Sequence, residues 1–288
     1  MITPTLLLLF LFTYLPIYGI IISFQDYKIG NNILSFSENI KWVGLKHFTE
    51  FFNSIFFTRV FGNTIRLSVL NLLFGFWVPI VFAILLNEVR HPLYKRLTQT
   101  FVYLPHFVSV VVVVALIMSM TGPNGFIGKL YTFFTGKSVN MINNARYFDT
   151  LYISSGIWQN FGYSAIIYIA AIASIDPTLY EAAIVDGANR FRRIIHITFP
   201  GILPTIVILL ILAIGGLLNA NTEKILLMKN PNTAPKAEVI GTYVYQVGLR
   251  DGRYSFTAAV GLFSNVINFV LVFCANTISR RIGGASLW

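Results

Sequence analysis

FVSVVVVVALIMSM, Phe107 to Met120, carries no charge, shows no apolar/polar alternation, and lies inside a longer charge-free run from Leu97 to Gly128. An α-helix rising 1.5 Å per residue needs about 20 residues to cross about 30 Å of hydrocarbon. Five other runs lack Asp, Glu, Lys and Arg: Met1 to Gln25, Leu67 to Asn87, Thr150 to Ile175, Ile194 to Thr222 and Tyr254 to Ser279. The shortest, Leu67 to Asn87, has 21 residues. A charge at the bilayer centre costs at least about 2.5 to 3.5 kcal/mol, so runs of this kind mark spans. A membrane β-barrel would alternate over segments of about 10 residues, which neither Phe107 to Met120 nor Ile206 to Ile214 does. The sequence therefore predicts an all-α integral membrane protein, residues 1–288 forming a single domain of six transmembrane helices. The expected spans lie at about 4–24, 63–87, 98–120, 151–174, 201–221 and 255–277, with a loop at 176–193.

Composition agrees: 56% of the 288 residues are hydrophobic and 11% charged, against roughly a quarter charged in soluble domains. The first run has no basic residues before it and no clear small-residue cleavage site, so it reads as a span rather than a secretory signal. Cys274 is the sole cysteine, which excludes an intramolecular disulfide. The net charge of +10 comes from 21 Lys and Arg scattered among loops. No basic cluster interleaved with aromatics marks a nucleic-acid surface. Enzyme signals fail on spacing. Gly136-Lys137-Ser138 would end a phosphate-binding loop only with glycine at 131, where Tyr131 stands. His47, His91, His106 and His196 lack metal-ligand spacing, and no Gly-x-Ser-x-Gly elbow occurs. No catalytic or metal-binding residue is expected.

Orientation follows from the connections. Glu88 to Arg96, Asp176 to Arg193 and Arg280 to Trp288 hold 8 Lys/Arg in 36 residues; Asp26 to Arg66, Lys129 to Asp149 and Glu223 to Arg253 hold 13 in 93. The positive-inside rule puts the first, denser set and both termini in the cytoplasm. Trp42, Phe48, Phe51 and Phe52 then read as headgroup-level anchors of the first outer loop.

Polar groups inside the runs need partners and face the bundle interior, so they are candidates for a pathway. Asn71, Trp158, Gln159, Asn160, Tyr163, Asn219 and Asn221 stand out, with Asn265 and Asn268 in the last run. Amides suit sugar hydroxyls and aromatic rings suit the C–H face of a pyranose, while helix-to-helix hydrogen bonding is the alternative use of each. Arg66, one residue before the second run, either snorkels to the outer interface or meets an anionic group on a substrate.

The loop DPTLYEAAIVDGANRF, Asp176 to Phe191, reads as a short deliberate helix. Asp176 can cap it, Pro177 suits its first position, and Gly187 can end it in the left-handed conformation. Taken alone it could lie in the headgroup layer or dock a partner. Glu181-Ala182-Ala183, Asp186-Gly187-Ala188, then Ile194, Ile197, Pro200 and Pro204 resemble the EAA signature of permease subunits of binding-protein-dependent ABC importers. Tyr14 to Gly19, Phe24 to Tyr27, Trp42 to Phe48, Tyr103 to Phe107 and the closing Ser286-Leu287-Trp288 are similar to the branch handling complex polysaccharides and lipo-oligosaccharides. Relatives usually begin with a basic tail, where only Met1 to Thr5 precede the leucine run here, which points to a start truncated or misassigned.

The resemblance implies a type I ABC importer transmembrane domain in the bacterial cytoplasmic membrane. It implies that Glu181, Ala182, Ala183, Asp186, Gly187 and Ala188 couple to a cytoplasmic ATPase. Expected partners are a second homologous permease, two ATPase subunits that bind the ATP and Mg, an extracellular solute-binding protein, membrane lipid and an oligosaccharide. Arg66 and the basic loops suggest that the oligosaccharide is acidic. This chain would bind no cofactor and perform no covalent chemistry. The rival is a carrier driven by an ion gradient, which would usually show internal repeats and an intramembrane carboxylate; the six runs contain no carboxylate.

Overall fold

The computed structural model describes residues 2–28, 30, 41–282 and 284–288. Parts of the expected first outer loop, at 29 and 31–40, and Met1 lie outside the described residues. Helices dominate, and the one β-type pairing among the described residues is the bridge between Gln25 and Trp42. Among the described residues, five helices are long and apolar enough to span a bilayer: α1 (Thr3–Phe24), α2 (Phe57–Asn87), α3 (Val110–Thr135), α6 (Arg190–Gly215) and α8 (Tyr254–Arg281). A sixth, α4 (Ala145–Ala173), qualifies together with α5 (Pro177–Val185), from which it is bent by 68°. A short helix, α7 (Thr222–Met228), follows α6.

Two expected spans are corrected. Residues 98–120 are not one helix. The chain is helical over Pro92–Tyr103, tightens over Leu104–Phe107, becomes extended at Val108 and Ser109, and restarts at Val110. Pro105 has no N–H to continue the ladder. Two side chains satisfy the break: Ser109 Oγ accepts from Val112 N–H at 3.4 Å, and Gln159 Nε2 of α4 donates to the Val108 carbonyl at 3.0 Å. The fifth span does not reach 221 either. Its helix ends at Gly215, and the freed N–H of Leu218 donates to Asn268 Oδ1 of α8 at 3.1 Å.

Packing is strongest around α4, which lies against α2 along its length. One apolar cluster joins Ile80 and Ala83 of α2, Ala165, Tyr168 and Ile172 of α4, and Ile202 and Ile206 of α6. Close approach is set by small residues. A Cβ on Gly162 of α4 would stand 2.3 Å from the Val102 carbonyl oxygen, so only glycine admits the Pro92–Tyr103 helix there. At the opposite end of the bundle from α5, Phe51 is 1% exposed and packs on Phe57, Tyr243, Phe256 and Phe263 at 5.1 to 6.2 Å. Phe51 is thus core, not a headgroup anchor as its position in the loop suggests. Trp42 and Phe52 stay about half exposed.

The segment from Asn221 to Arg250 folds back onto this end rather than projecting from it. Asn63 Nδ2 of α2 donates to the carbonyls of Pro235 and Glu238 at 2.9 and 3.0 Å, and Thr64 Oγ1 accepts from Ile240 N–H at 2.9 Å. Charges complete the attachment: Glu238 pairs with Arg59 and with Lys229, and Asp149 with Arg66 and Lys236.

Candidate functional site

A cavity of about 640 Å³ opens between α2, α4, the end of α6 and α7, within the usual range of about 300 to 1,000 Å³ for ligand sites. Its α4 wall runs from Tyr152 to Tyr168, roughly 24 Å at 1.5 Å per residue. Six of the expected pathway residues line it: Asn71, Gln159, Asn160, Tyr163, Asn219 and Asn221. Two do not. Trp158 is 46% exposed and lies off the wall. Arg66 is bound elsewhere: its guanidinium donates to Asp149 at 3.1 Å and to the Lys236 carbonyl at 3.0 Å. The segment folding back brings the Lys236 carbonyl to Arg66, and Asp149 reaches it from α4.

The wall is pre-organised. His106 and Tyr163 stack face to face at 3.9 Å, and His106 Nδ1 is 3.0 Å from Asn160 Oδ1. Asn160 also donates to the Gly156 carbonyl, and Asn268 reaches Asn219 at 3.4 Å. Asn221 has a structural duty as well, capping α7 by accepting from Lys224 N–H at 3.0 Å. Bonding between segments and cavity lining are therefore not exclusive: Gln159, Asn160 and Asn219 each bond a residue of another segment and also line the cavity.

Sequence reasoning missed Lys224. It is 3% exposed, lines the cavity, and its Nζ donates to the Tyr152 carbonyl at 3.1 Å while lying 5.3 Å above the Tyr152 ring. Burial pushes the pKa of its ammonium down, to about 8. It falls two residues beyond a charge-free run, in a segment that reads as outer loop. Only the N-cap signal at Asn221 hints at a helix that turns inward.

The expected coupling residues lie at the other end, on and just after α5. Asp176 Oδ1 accepts from Thr178 N–H at 2.9 Å, which holds its carboxyl below the usual value. Gly187 has φ +76°, and Ala188 N–H donates back to the Ala183 carbonyl at 2.8 Å, closing the helix end. Tyr180 hydroxyl bonds Thr198 Oγ1 of α6 at 3.0 Å, fixing the helix to the bundle. Glu181, Ala182, Asp186 and Gly187 are exposed, Ala183 and Ala188 partly so. Leu179, Ile184, Val185 and Phe191 add apolar exposure beside them, with Val185 88% exposed.

Comparison with known proteins places this architecture. Residues 75–284 match the family described as binding-protein-dependent transport system inner membrane component. The chain is 44% identical over 289 residues to the polygalacturonan/rhamnogalacturonan transport system permease protein YteP of Bacillus subtilis (strain 168), covering 100% of this chain and 89% of that protein. It is 43% identical over 279 residues to Protein LplB of the same organism, covering 96% and 86%. Two crystal structures are similar throughout. One is a bacterial ABC transporter involved in the import of the acidic polysaccharide alginate, with TM-score 0.87, 40% identity and coverage of 97% and 93%. The other is a bacterial alginate ABC transporter in complex with alginate pentasaccharide-bound periplasmic protein, with TM-score 0.89, 39% identity and coverage of 100% and 95%.

Proposed function

This chain belongs to the family of binding-protein-dependent transport system inner membrane components, and we propose on that footing that it is the permease subunit through which an ATP-driven importer moves an oligosaccharide. The observation that carries the substrate class is the cavity between α2, α4 and α6, whose wall alternates amides with aromatic and aliphatic surface. Such a wall offers paired donors and acceptors to hydroxyls and flat apolar faces to sugar rings. Among the described residues none that lines it is acidic, which disfavours the ion-gradient carrier. The relatives' polygalacturonan, rhamnogalacturonan and alginate substrates support an acidic oligosaccharide.

In this reading the chain sits in the bacterial cytoplasmic membrane with both termini and α5 in the cytoplasm. A second homologous permease closes the open side of the cavity, two ATPase subunits supply hydrolysis, and an extracellular binding protein delivers the sugar. The chain holds no cofactor; ATP and Mg belong to the ATPases. The exposed segment Glu181 to Ala188 docks in the ATPase, and its attachment through Tyr180 to α6 passes ATPase motion to the cavity wall. Alternating access follows, outward opening with ATPase closure and reversal after hydrolysis.

The test is reconstitution of the complete assembly with a labelled oligogalacturonide. Accumulation inside vesicles that requires ATP and the loaded binding protein is expected, and Asn219→Ala or Tyr163→Ala should lower its rate several-fold. Uptake that proceeds without ATPase, or that ignores both substitutions, would displace the reading.

A further inference from the structure

The geometry points to Lys224 as the residue that selects an acidic sugar, its ammonium meeting a carboxylate of the oligosaccharide inside the cavity. This rests on the oligosaccharide reading above and adds to it the group that distinguishes charge. Five other cations at this end of the bundle already have a carboxylate. Arg59 and Lys229 share Glu238, Arg66 and Lys236 share Asp149, and Arg253 pairs with Glu50. Lys224 is more deeply buried than any of them, and among the described residues it forms no ion pair.

The order is the reverse of what desolvation demands. A cation taken out of water needs a counter-charge or a full set of acceptors. The Tyr152 carbonyl takes one of the three Nζ protons and the Tyr152 ring supplies a weak cation–π contact. The other two N–H groups have no protein acceptor among the described residues. The site is also held rigidly. Tyr152 is fixed by its hydroxyl, which accepts from Asn221 N–H at 3.1 Å, and Asn221 in turn caps the helix carrying Lys224. Gly156 leaves the space beside Nζ open, since a Cβ there would already stand 3.5 Å from it. Among the described residues Lys224 is the one charged group lining a wall otherwise built from amides, hydroxyls and apolar groups. A carboxylate on a sugar ring would complete its donors and remove the uncompensated charge; a neutral sugar would leave it as it stands.

The experiment uses the complete importer with its binding protein, and the probes are a trimer of galacturonic acid and the carboxyl-reduced, neutral trimer. Initial uptake of each is measured as a function of concentration for the wild type, Lys224→Gln, Lys224→Met and Lys224→Arg, with the yield of assembled complex recorded alongside. Acidic uptake at low concentration should fall about tenfold or more in Lys224→Gln and Lys224→Met, the loss expected from one hydrogen bond to a charged group. Lys224→Arg should keep at least about a third of the rate, since it keeps the charge. Any preference for the acidic trimer should shrink by the same factor. Unchanged acidic uptake in Lys224→Gln overturns the inference, as does Lys224→Arg failing as badly as Lys224→Gln at normal yield, which would mark a packing role. A wild-type complex that moves neither trimer would sink the oligosaccharide reading and this inference together, whereas wild-type transport with an unaltered preference in the variants sinks only the inference.

Discussion

Single side chains at the end of the bundle away from α5 divide into those that hold the structure and those that face the cavity, and the partners of each decide which. Arg66 belongs to the first group because Asp149 and the Lys236 carbonyl engage its guanidinium. Arg66→Gln should therefore destabilise the complex by about 1 to 3 kcal/mol, a cost between exposed and fully buried pairs. Thermal unfolding in detergent should show this, while the preference between acidic and neutral trimers stays as in the wild type. A change in that preference would return Arg66 to the pathway. Trp158 and Tyr163 make a parallel contrast on α4. Tyr163 stacks on His106 and lines the cavity, and Trp158 does neither. Tyr163→Ala should cut uptake by more than Trp158→Ala, and Tyr163→Phe should retain most of it because the stacked ring survives. Equal losses in the two alanine variants would deny the cavity wall its role.

At the scale of elements, α5 is the clearest case of a helix whose position is dictated at both ends. Its start is capped by Asp176 and its end requires Gly187 at φ +76°, a conformation costing other residues about 1 kcal/mol or more. A Cβ at Gly187 would meet nothing within 4 Å, so the penalty of Gly187→Val is backbone strain and not a clash. That variant should insert and still receive the loaded binding protein, yet lose substrate-stimulated ATP hydrolysis together with uptake. Glu181→Lys, which reverses an exposed charge, should fail in the same way. Normal stimulation in both variants would leave α5 as an interfacial helix only. Tyr180→Phe isolates the attachment to α6 by deleting the bond to Thr198. It should leave ATP hydrolysis stimulated but lower the sugar moved per ATP, which paired measurements of hydrolysis and uptake would reveal.

The whole molecule is a bundle with a cavity on one side and broad exposed apolar surface elsewhere. Asn160, Tyr163 and Asn219 are exposed in the isolated chain although they line the cavity. Polar groups left facing hydrocarbon are costly, so a second permease should be needed to enclose them. Expressed alone and reconstituted, the chain should move no oligosaccharide along or against a gradient, and in the membrane it should be recovered with its partner permease when both are expressed. Sugar flux through the lone chain would contradict this. Gly162→Val tests the bundle itself. Its side chain would strike the Val102 carbonyl, so the assembled yield should fall sharply, as measured by size-exclusion profile.

Much of this molecule is legible from local signals along the chain. Charge-free runs announce spans because desolvating a charge dominates every other term in hydrocarbon, and Asp176, Pro177 and Gly187 announce α5 because capping depends on neighbours in the chain. Six of the eight expected pathway residues reach the cavity, and for Asn71, Gln159, Asn160 and Tyr163 the reason is that a polar side chain in a span has few other places to go. What the chain's order could not show is how the segment from Asn221 to Arg250 folds back. That return gives Arg66 the Lys236 carbonyl and carries Lys224 inward. It depends on contacts such as Asn63 with Pro235 and Thr64 with Ile240, more than 170 residues apart in sequence. Span ends also moved, at Val108 and Gly215, because side chains of other helices, Gln159 and Asn268, satisfy the broken backbone there. Sequence by itself determined which segments are apolar enough to enter a membrane, through the cost of desolvating each residue; only tertiary structure decided which polar groups partner one another and which line the cavity.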